Sequence, residues 1–476
     1  MPLKQKTISG IKWTTYSTVI VTILQLLQIS ILARFLDPSA FGLMALVMVV
    51  IGFSHAFLDM GISNAIIHKQ EISHEQLSTL YWVNVLAGVL LFVIVCAVAP
   101  VVAAFYKEPE LTHLTILVGV TFLMQPFGQQ FMILWQKEMR FAEMAKIDIN
   151  NKLVSLVVSV WFAYQGYGVY ALVYGTLAGV AAQTTQFLVI GLREHQPSFV
   201  FRVEKIKEFM SFGAYQMGEK TVNYFNFQID TILIGKLLGT EALGIYSIAK
   251  QLIMRPAQVF NPIITKVTFP AMAQIQENTE RLKNIYLKTI NYLSSANFPV
   301  YAFIFIFAAD LVLVLFGEKW LAAVSIIQLL SVWGALRSTG NPVGSLLMAK
   351  GKAKWGFWWN LGLLFYVPVG IYIGSYWGLM GISWMLIVMQ LSLVIPNWYF
   401  LVKPLCGADF LEYHLQIVKP ALIAFLAGGG VYMIIIPLEF GVIKFLVGAM
   451  IGFVLTIWFN WIWNREFINE LKDVRK

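Results

Sequence analysis

Charge is scarce in this chain. Only 12% of its 476 residues are Asp, Glu, Lys or Arg, against 58% hydrophobic, whereas a soluble domain carries about 25% charged residues. A water-facing surface cannot be built from that supply, which excludes soluble enzymes and soluble binding modules. Cysteine is nearly absent: Cys96 in an apolar run and Cys406 in a loop make neither a disulfide framework nor a thiolate metal site. The six histidines are dispersed and lack zinc-ligand spacing. There is no phosphate loop, since GSLLMAKGKA at 344–353 has glycine and lysine at the wrong spacing and no Ser or Thr after the lysine. No cofactor or metal is expected. The longest hydrophilic connections, 193–208 and 271–285, each run under twenty residues, so no extramembrane catalytic domain is expected and the chain reads as a non-enzyme.

What the chain has is apolar length. A spanning helix needs about 20 largely apolar residues, and such runs fall near 13–36, 40–60, 79–105, 111–135, 147–165, 169–192, 209–237, 242–270, 286–316, 322–348, 355–376, 378–402, 415–436 and 440–463. The expected fold is all-α and polytopic, with about fourteen transmembrane helices. Lys4, Lys6 and Lys12 precede a first run too long for a signal-peptide core, with no convincing small-x-small cleavage site, so it is expected to stay as the first helix.

Basic residues orient these spans. Of the 34 Lys and Arg, only Arg34, Lys107, Lys236, Lys319 and Lys444 fall on one side. Six lie inside spans and the remaining 23 fall on the other side, which the positive-inside rule makes cytoplasmic. Both termini are then cytoplasmic. The net charge of +9 is mostly topology, and its dispersal argues against nucleic acid as a partner.

One hinge is written twice. RFLDPSAFGLMAL at 34–46 returns 202 residues later as KLLGTEALGIYSI at 236–248. Identities stand at Leu36/Leu238, Ala40/Ala242 and Gly42/Gly244, with Arg34 matching Lys236, and each copy closes one span and opens the next. A second echo pairs ILWQK at 133–137 with LLMAK at 346–350. Six spans separate the hinges, so the halves share one orientation, as in parallel-repeat transporters with a pathway between two lobes. The expected organisation is a six-helix lobe at 1–192, an amphipathic cytoplasmic linker at 193–208, a second six-helix lobe at 209–402 around a central cavity, and two further helices with a cytoplasmic tail at 403–476. Shared turn chemistry is the plainer explanation of such an echo.

RFLDPSAFGLMALVMVV, FGEKW at 316–320 and AKGKAKWGF at 349–357 resemble the polysaccharide-transporter branch of the MOP/MATE flippase superfamily, the Wzx-type branch near the colanic-acid and teichuronic-acid exporters. That resemblance implies two six-helix lobes with two extra helices, in the bacterial cytoplasmic (inner) membrane. It implies movement of an undecaprenyl-pyrophosphate-linked oligosaccharide from the inner to the outer leaflet by alternating access. Partners are then the lipid-linked oligosaccharide, membrane lipids and polysaccharide polymerase machinery.

The six basic residues inside spans are Lys152, Lys220, Lys250, Arg255, Lys266 and Arg337. Lys152 and Lys266 lie near cytoplasmic ends and can snorkel. Arg255, Arg337 and Lys220 lie roughly 20, 22 and 16 Å into their spans at about 1.5 Å per residue. A charge at such depth costs about 3 kcal/mol on the mildest scale, so each should face a wet cavity or a partner. On the seventh span Glu219, Asn223, Asn226 and Asp230 share one face, and on the eighth Ser247, Gln251, Arg255 and Gln258 do the same. The first lobe is milder, with Thr14, Thr18 and Gln25 on span one and His55 and Asp59 on span two.

A cationic cavity suits an anionic amphiphile. Arg255, Arg337, Lys220 and Lys250 are the candidates for pyrophosphate, with Arg favoured for bidentate contact. Asn223, Asn226, Gln251, Gln258 and Gln25 are candidates for the sugars. Glu219, Asp230, Asp59 and Asp310 are candidates for proton or sodium coupling. The competing reading of these charges is internal pairing that holds helices together. Aromatic KWGFWW at 354–359 reads as an interfacial belt, Gly175 with Gly179 and Gly370 with Gly374 as helix packing, and Pro126, Pro256, Pro262, Pro368 and Pro396 as kink positions, with the eighth span the best bending element. Two other functions compete: a small-molecule or cation antiporter, which favours a carboxylate-dominated cavity, and a membrane glycan polymerase or ligase, which needs a substantial outer loop.

Overall fold

The computed structural model describes residues 3–58, 66, 72–202, 207–340, 342–435 and 442–465, with backbone course alone for 3–8, 11, 56, 207–220, 442–443 and 445–446. All regular structure among the described residues is helical. In hydrocarbon no water meets a backbone N–H, and a helix satisfies those groups within one segment.

The helices are α1 Leu3–Phe35, α2 Pro38–Leu58, α3 His74–Tyr106, α4 Glu110–Gly119, α5 Thr121–Lys137, α6 Phe141–Tyr164, α7 Tyr170–Glu194 and α8 Lys207–Gln274. There follow α9 Thr279–Ile306, α10 Ala308–Leu315, α11 Ala323–Ser338, α12 Pro342–Ala349, α13 Ala353–Ser375 and α14 Gly378–Ser392. Short helical pieces continue α14 as far as Cys406, and α15 Phe410–Ile435 and α16 Val442–Trp463 complete the chain. Nine described stretches are long and apolar enough to cross a membrane, and α9 with α10, bent by 74°, makes a tenth. One of the nine, Thr221–Gln274, covers spans seven and eight together. The α6 helix, the α11–α12 pair and α16 carry the other three, so all fourteen spans fall on helix. This is a multi-pass membrane protein.

Spans seven and eight meet without a loop. Inside α8 the only non-helical residue is Gly239, with φ 83° and ψ 179°, a conformation open to glycine and strained for other residues. Pro256 and Pro262 lie within continuous helix. Farther on, a π turn at Trp398–Val402 follows Pro396, whose missing N–H leaves a gap in the helical ladder.

The chain forms two compact units, Met1–Gly244 and Ile245–Lys476. In the first, small residues bring α6 and α7 together: a Cβ on Gly175 would lie 2.5 Å from Ser159 Cβ, and one on Gly179 2.5 Å from Asn151 Oδ1. Gln28 of α1 donates from Nε2 to the hydroxyl of Ser159 at 2.8 Å. The arm of α8 before Gly239 also packs here, where Tyr224 Oη donates to the Val49 carbonyl at 2.7 Å. The described part of the linker, 195–202, is extended and docks on α3. Ser198 N donates to Ser78 Oγ at 3.0 Å, Trp82 Nε1 donates to Ser198 O at 3.0 Å, and Phe199 stacks on Trp82. In the second unit Gly370 and Gly374 of α13 sit directly against Met389 and Gly381 of α14. Asn464, just beyond α16, donates to Asn291 Oδ1 at 3.1 Å and Ser295 Oγ at 2.9 Å, both on α9.

Candidate functional site

Three helices of the second unit meet at Ile253, two residues before Arg255. The arm of α8 after Gly239 carries Ile253, whose carbonyl accepts from Tyr301 Oη of α9 at 3.0 Å. Gly334 of α11 closes the third side, since a Cβ there would come within 2.6 Å of Ile253 Cγ2 and 2.8 Å of Tyr301 Cε1. Farther along, Asn297 Nδ2 of α9 donates to Asn261 Oδ1 of α8 at 3.1 Å and to the Leu293 carbonyl at 2.9 Å. Asn261 Nδ2 reaches the Ser338 carbonyl of α11 at 3.5 Å. Both asparagines are buried, and a buried amide needs its partners, so this seam fixes the register of all three helices.

Arg255 stands half-buried on that framework, with no hydrogen bond or ion pair to any other described residue. Had it been a structural cation it would have had a carboxylate beside it, because an uncompensated charge in a low-dielectric setting is costly. A cation held in place without an internal counter-charge is disposed to accept an external anion. Arg337 lies on α11 next to Ser338, exposed, with its guanidinium 5.0 Å from the Trp333 ring centroid. The neighbouring Ser338 carbonyl accepts from Asn261, so Arg337 stands beside the α8–α11 seam.

The other candidates are placed as follows. Lys250 is buried and engaged with a partner. Gln251 and Gln258 are exposed, and Gln25 is half-buried on α1. Asn223 is exposed and Asn226 half-buried, both engaged. Asp230 is buried, and its Oδ1 accepts from Thr231 N at 2.7 Å. Asp310 is buried and lies 4.0 Å from Lys444 Nζ, a pairing between α10 and α16. Asp59 lies outside the described residues, and so do the side chains of Glu219 and Lys220. Sequence reasoning passed over Asn261, Asn297 and Tyr301. Asn261 was within reach, three residues beyond Gln258 on the same polar stripe; Asn297 and Tyr301 matter through contacts that no spacing announces. Among the described residues no cluster of His, Cys, Asp or Glu suits a metal ion.

Fold and site together define a multi-pass helical membrane protein. The sequence profile of the family described as "Polysaccharide biosynthesis protein" matches residues 31–325, more than half of the chain, and the chain belongs to that family. It is 34% identical to the lipopolysaccharide biosynthesis protein WzxC of Escherichia coli (strain K12), over 88% of this chain and 86% of that one. It is equally 34% identical to the teichuronic acid biosynthesis protein TuaB of Bacillus subtilis (strain 168), over 88% and 87%. Among solved structures it is similar to the lipid II flippase MurJ in an inward closed conformation, with TM-score 0.78, 12% identity, and coverage of 96% of this chain and 100% of that one. An inward-facing multidrug resistance MATE family transporter matches with TM-score 0.59, 17% identity, and coverage of 87% and 95%. At those identities the likeness shows the fold alone.

Proposed function

We propose that this protein is a flippase. It carries an undecaprenyl-pyrophosphate-linked oligosaccharide from the cytoplasmic to the outer leaflet of the bacterial inner membrane, both of its own termini being cytoplasmic. The observation that carries the reading is Arg255: a half-buried guanidinium inside a membrane helix, set on a fixed three-helix framework, without a described counter-ion. Membership of a polysaccharide biosynthesis family supports a glycan cargo, and the anionic part of a lipid-linked glycan is its pyrophosphate. Arg255 and Arg337 bind it, Arg offering two parallel N–H donors to phosphate oxygens. Lobes at 1–192 and 209–402, joined by 193–208 and followed by helices in 403–476, rock about the repeated hinge to expose the site to each leaflet in turn. The released cargo feeds polymerase machinery on the outer side. No bond in the cargo is made or broken, so the reading calls for no catalytic group.

Leaflet-resolved quantification of undecaprenyl-linked oligosaccharide after depletion of the protein tests this. Completed units accumulating on the cytoplasmic leaflet are the expected result. Normal translocation, with redundant exporters removed, contradicts it.

A further inference from the structure

A second polar site lies in the first unit. Facing residues of α2, α5 and α7 line a half-open cavity of about 300 Å³, among them His55, Gln125, Gln129, Gln183, Thr184 and Phe187. That volume is at the lower end of the about 300–1,000 Å³ typical of ligand pockets. Gln129 Oε1 is buried with no hydrogen-bond partner among the described residues. Gln183 donates its Nε2 to Asp148 Oδ1 at 3.1 Å, which orients the amide and leaves its carbonyl oxygen as an acceptor. Gly128 lets α5 and α7 approach, a Cβ there meeting Thr184 Cα at 3.1 Å, so the amides are held on rigid, closely packed helices. Three glutamines inside one membrane lobe are costly unless something satisfies them.

Among the described residues the cavity wall carries amides, a hydroxyl, an imidazole and an aromatic ring, but no carboxylate, Lys or Arg. It therefore selects against a phosphate and fits a neutral group with many hydroxyls and an apolar face. Gln129 lies about 12 Å along the helix from Lys137, and Gln183 about 16 Å from Glu194, at 1.5 Å per residue. Both distances are measured from the expected cytoplasmic ends, so the cavity lies between the middle of a hydrocarbon core about 30 Å thick and its cytoplasmic side.

We infer that this cavity is a glycan site: it receives one sugar residue of the lipid-linked oligosaccharide through Gln125, Gln129 and Gln183, with the ring against Phe187. The inference rests on the flippase reading and adds the site that distinguishes one glycan from another.

The test measures binding of the full-length protein to two probes, the pyrophosphate-linked oligosaccharide extracted from the same cells and undecaprenyl pyrophosphate without sugar. Gln129→Leu is expected to weaken the glycosylated probe about tenfold, the order of one or two lost hydrogen bonds, and to leave the sugar-free probe unchanged. Arg255→Gln weakens both. Gln125→Leu repeats the first measurement should Gln129→Leu fail to fold. If the glutamine variants bind both probes as the wild type does, or lose both equally, the glycan site is wrong while the flippase reading stands. If the wild type binds neither probe, the flippase reading fails and the glycan site with it.

Discussion

Gly42 and Gly244 carry the same contact in reverse. A Cβ on Gly42 would lie 1.9 Å from the carbonyl oxygen of Thr240, and a Cβ on Gly244 would lie 1.8 Å from that of Pro38. Thr240 follows Pro38 by the same 202 residues that separate Gly244 from Gly42. Residue i meeting j while j's counterpart meets i's is the signature of a two-fold relation, here between two stretches of one chain. It supports the reading of the repeated hinge as an internal duplication, and it explains the glycine in each copy: the two helix starts cross where no side chain fits.

Either glycine should therefore be equally intolerant. Gly42→Val and Gly244→Val each force the crossing apart, at a cost of about 1–3 kcal/mol for overpacking. Thermal unfolding of the purified protein should show matched losses, with transport reduced in both. A loss at one glycine and none at the other contradicts the reciprocal contact.

Arg255 separates a binding cation from a structural one. Arg255→Gln removes no described hydrogen bond or ion pair, so the protein should be as stable as the wild type or more so, while transport falls by at least about tenfold, the effect of losing one charge-assisted contact. Breaking a buried ion pair would instead cost about 3–5 kcal/mol. A large fall in unfolding temperature for Arg255→Gln assigns Arg255 to structure.

Asn297 is structural on the same grounds. Its Nδ2 serves Asn261 and Leu293 together, so Asn297→Leu leaves Asn261 without that donor. An interhelical polar contact in a membrane contributes about 0.6 kcal/mol, at most about 1.7, and a loss of that order in a denaturation experiment is expected. Binding of undecaprenyl pyrophosphate at saturating lipid should survive.

The docked linker should loosen in acid. His195 lies just beyond α7, its ring 4.8 Å from that of His74. Burial, with His74 as the smaller cause, holds its pKa below the ordinary value of about 6.5. The folded state thus binds fewer protons than the unfolded one, so stability is present above about 6.5 and declines as pH falls toward the lowered folded value. Protection of the Ser198 and Arg202 amides against exchange, taken relative to the intrinsic rate at each pH, should fall between pH 7 and pH 5, and His195→Phe should remove that fall. Protection unaffected by pH in the native protein excludes His195 as its cause.

The helices were legible because hydrocarbon leaves the backbone few choices: each apolar run had to be helical. Side-chain direction was less legible. Lys250 and Gln251 were both candidates for the cargo site and are adjacent in sequence, yet a rotation of about 100° per residue buries the first and exposes the second. The seam from Asn261 to Asn297 joins residues on different helices, and no periodicity within either one reveals it. The linker, read as amphipathic, runs extended at 195–202; Pro197 keeps Gln196 out of the helical region, and the segment gains its hydrogen bonds from Ser78, Thr79 and Trp82 instead.

Translocation by the purified protein tests the central claim most directly. The pyrophosphate-linked oligosaccharide is placed in one leaflet of proteoliposomes, and its arrival in the other is followed for wild type and for Arg255→Gln at matched incorporation. Transfer by the wild type, strongly slowed in the variant, is the predicted result. Equal transfer by both removes Arg255 from the cargo site, and no transfer above protein-free liposomes by the wild type contradicts the flippase itself.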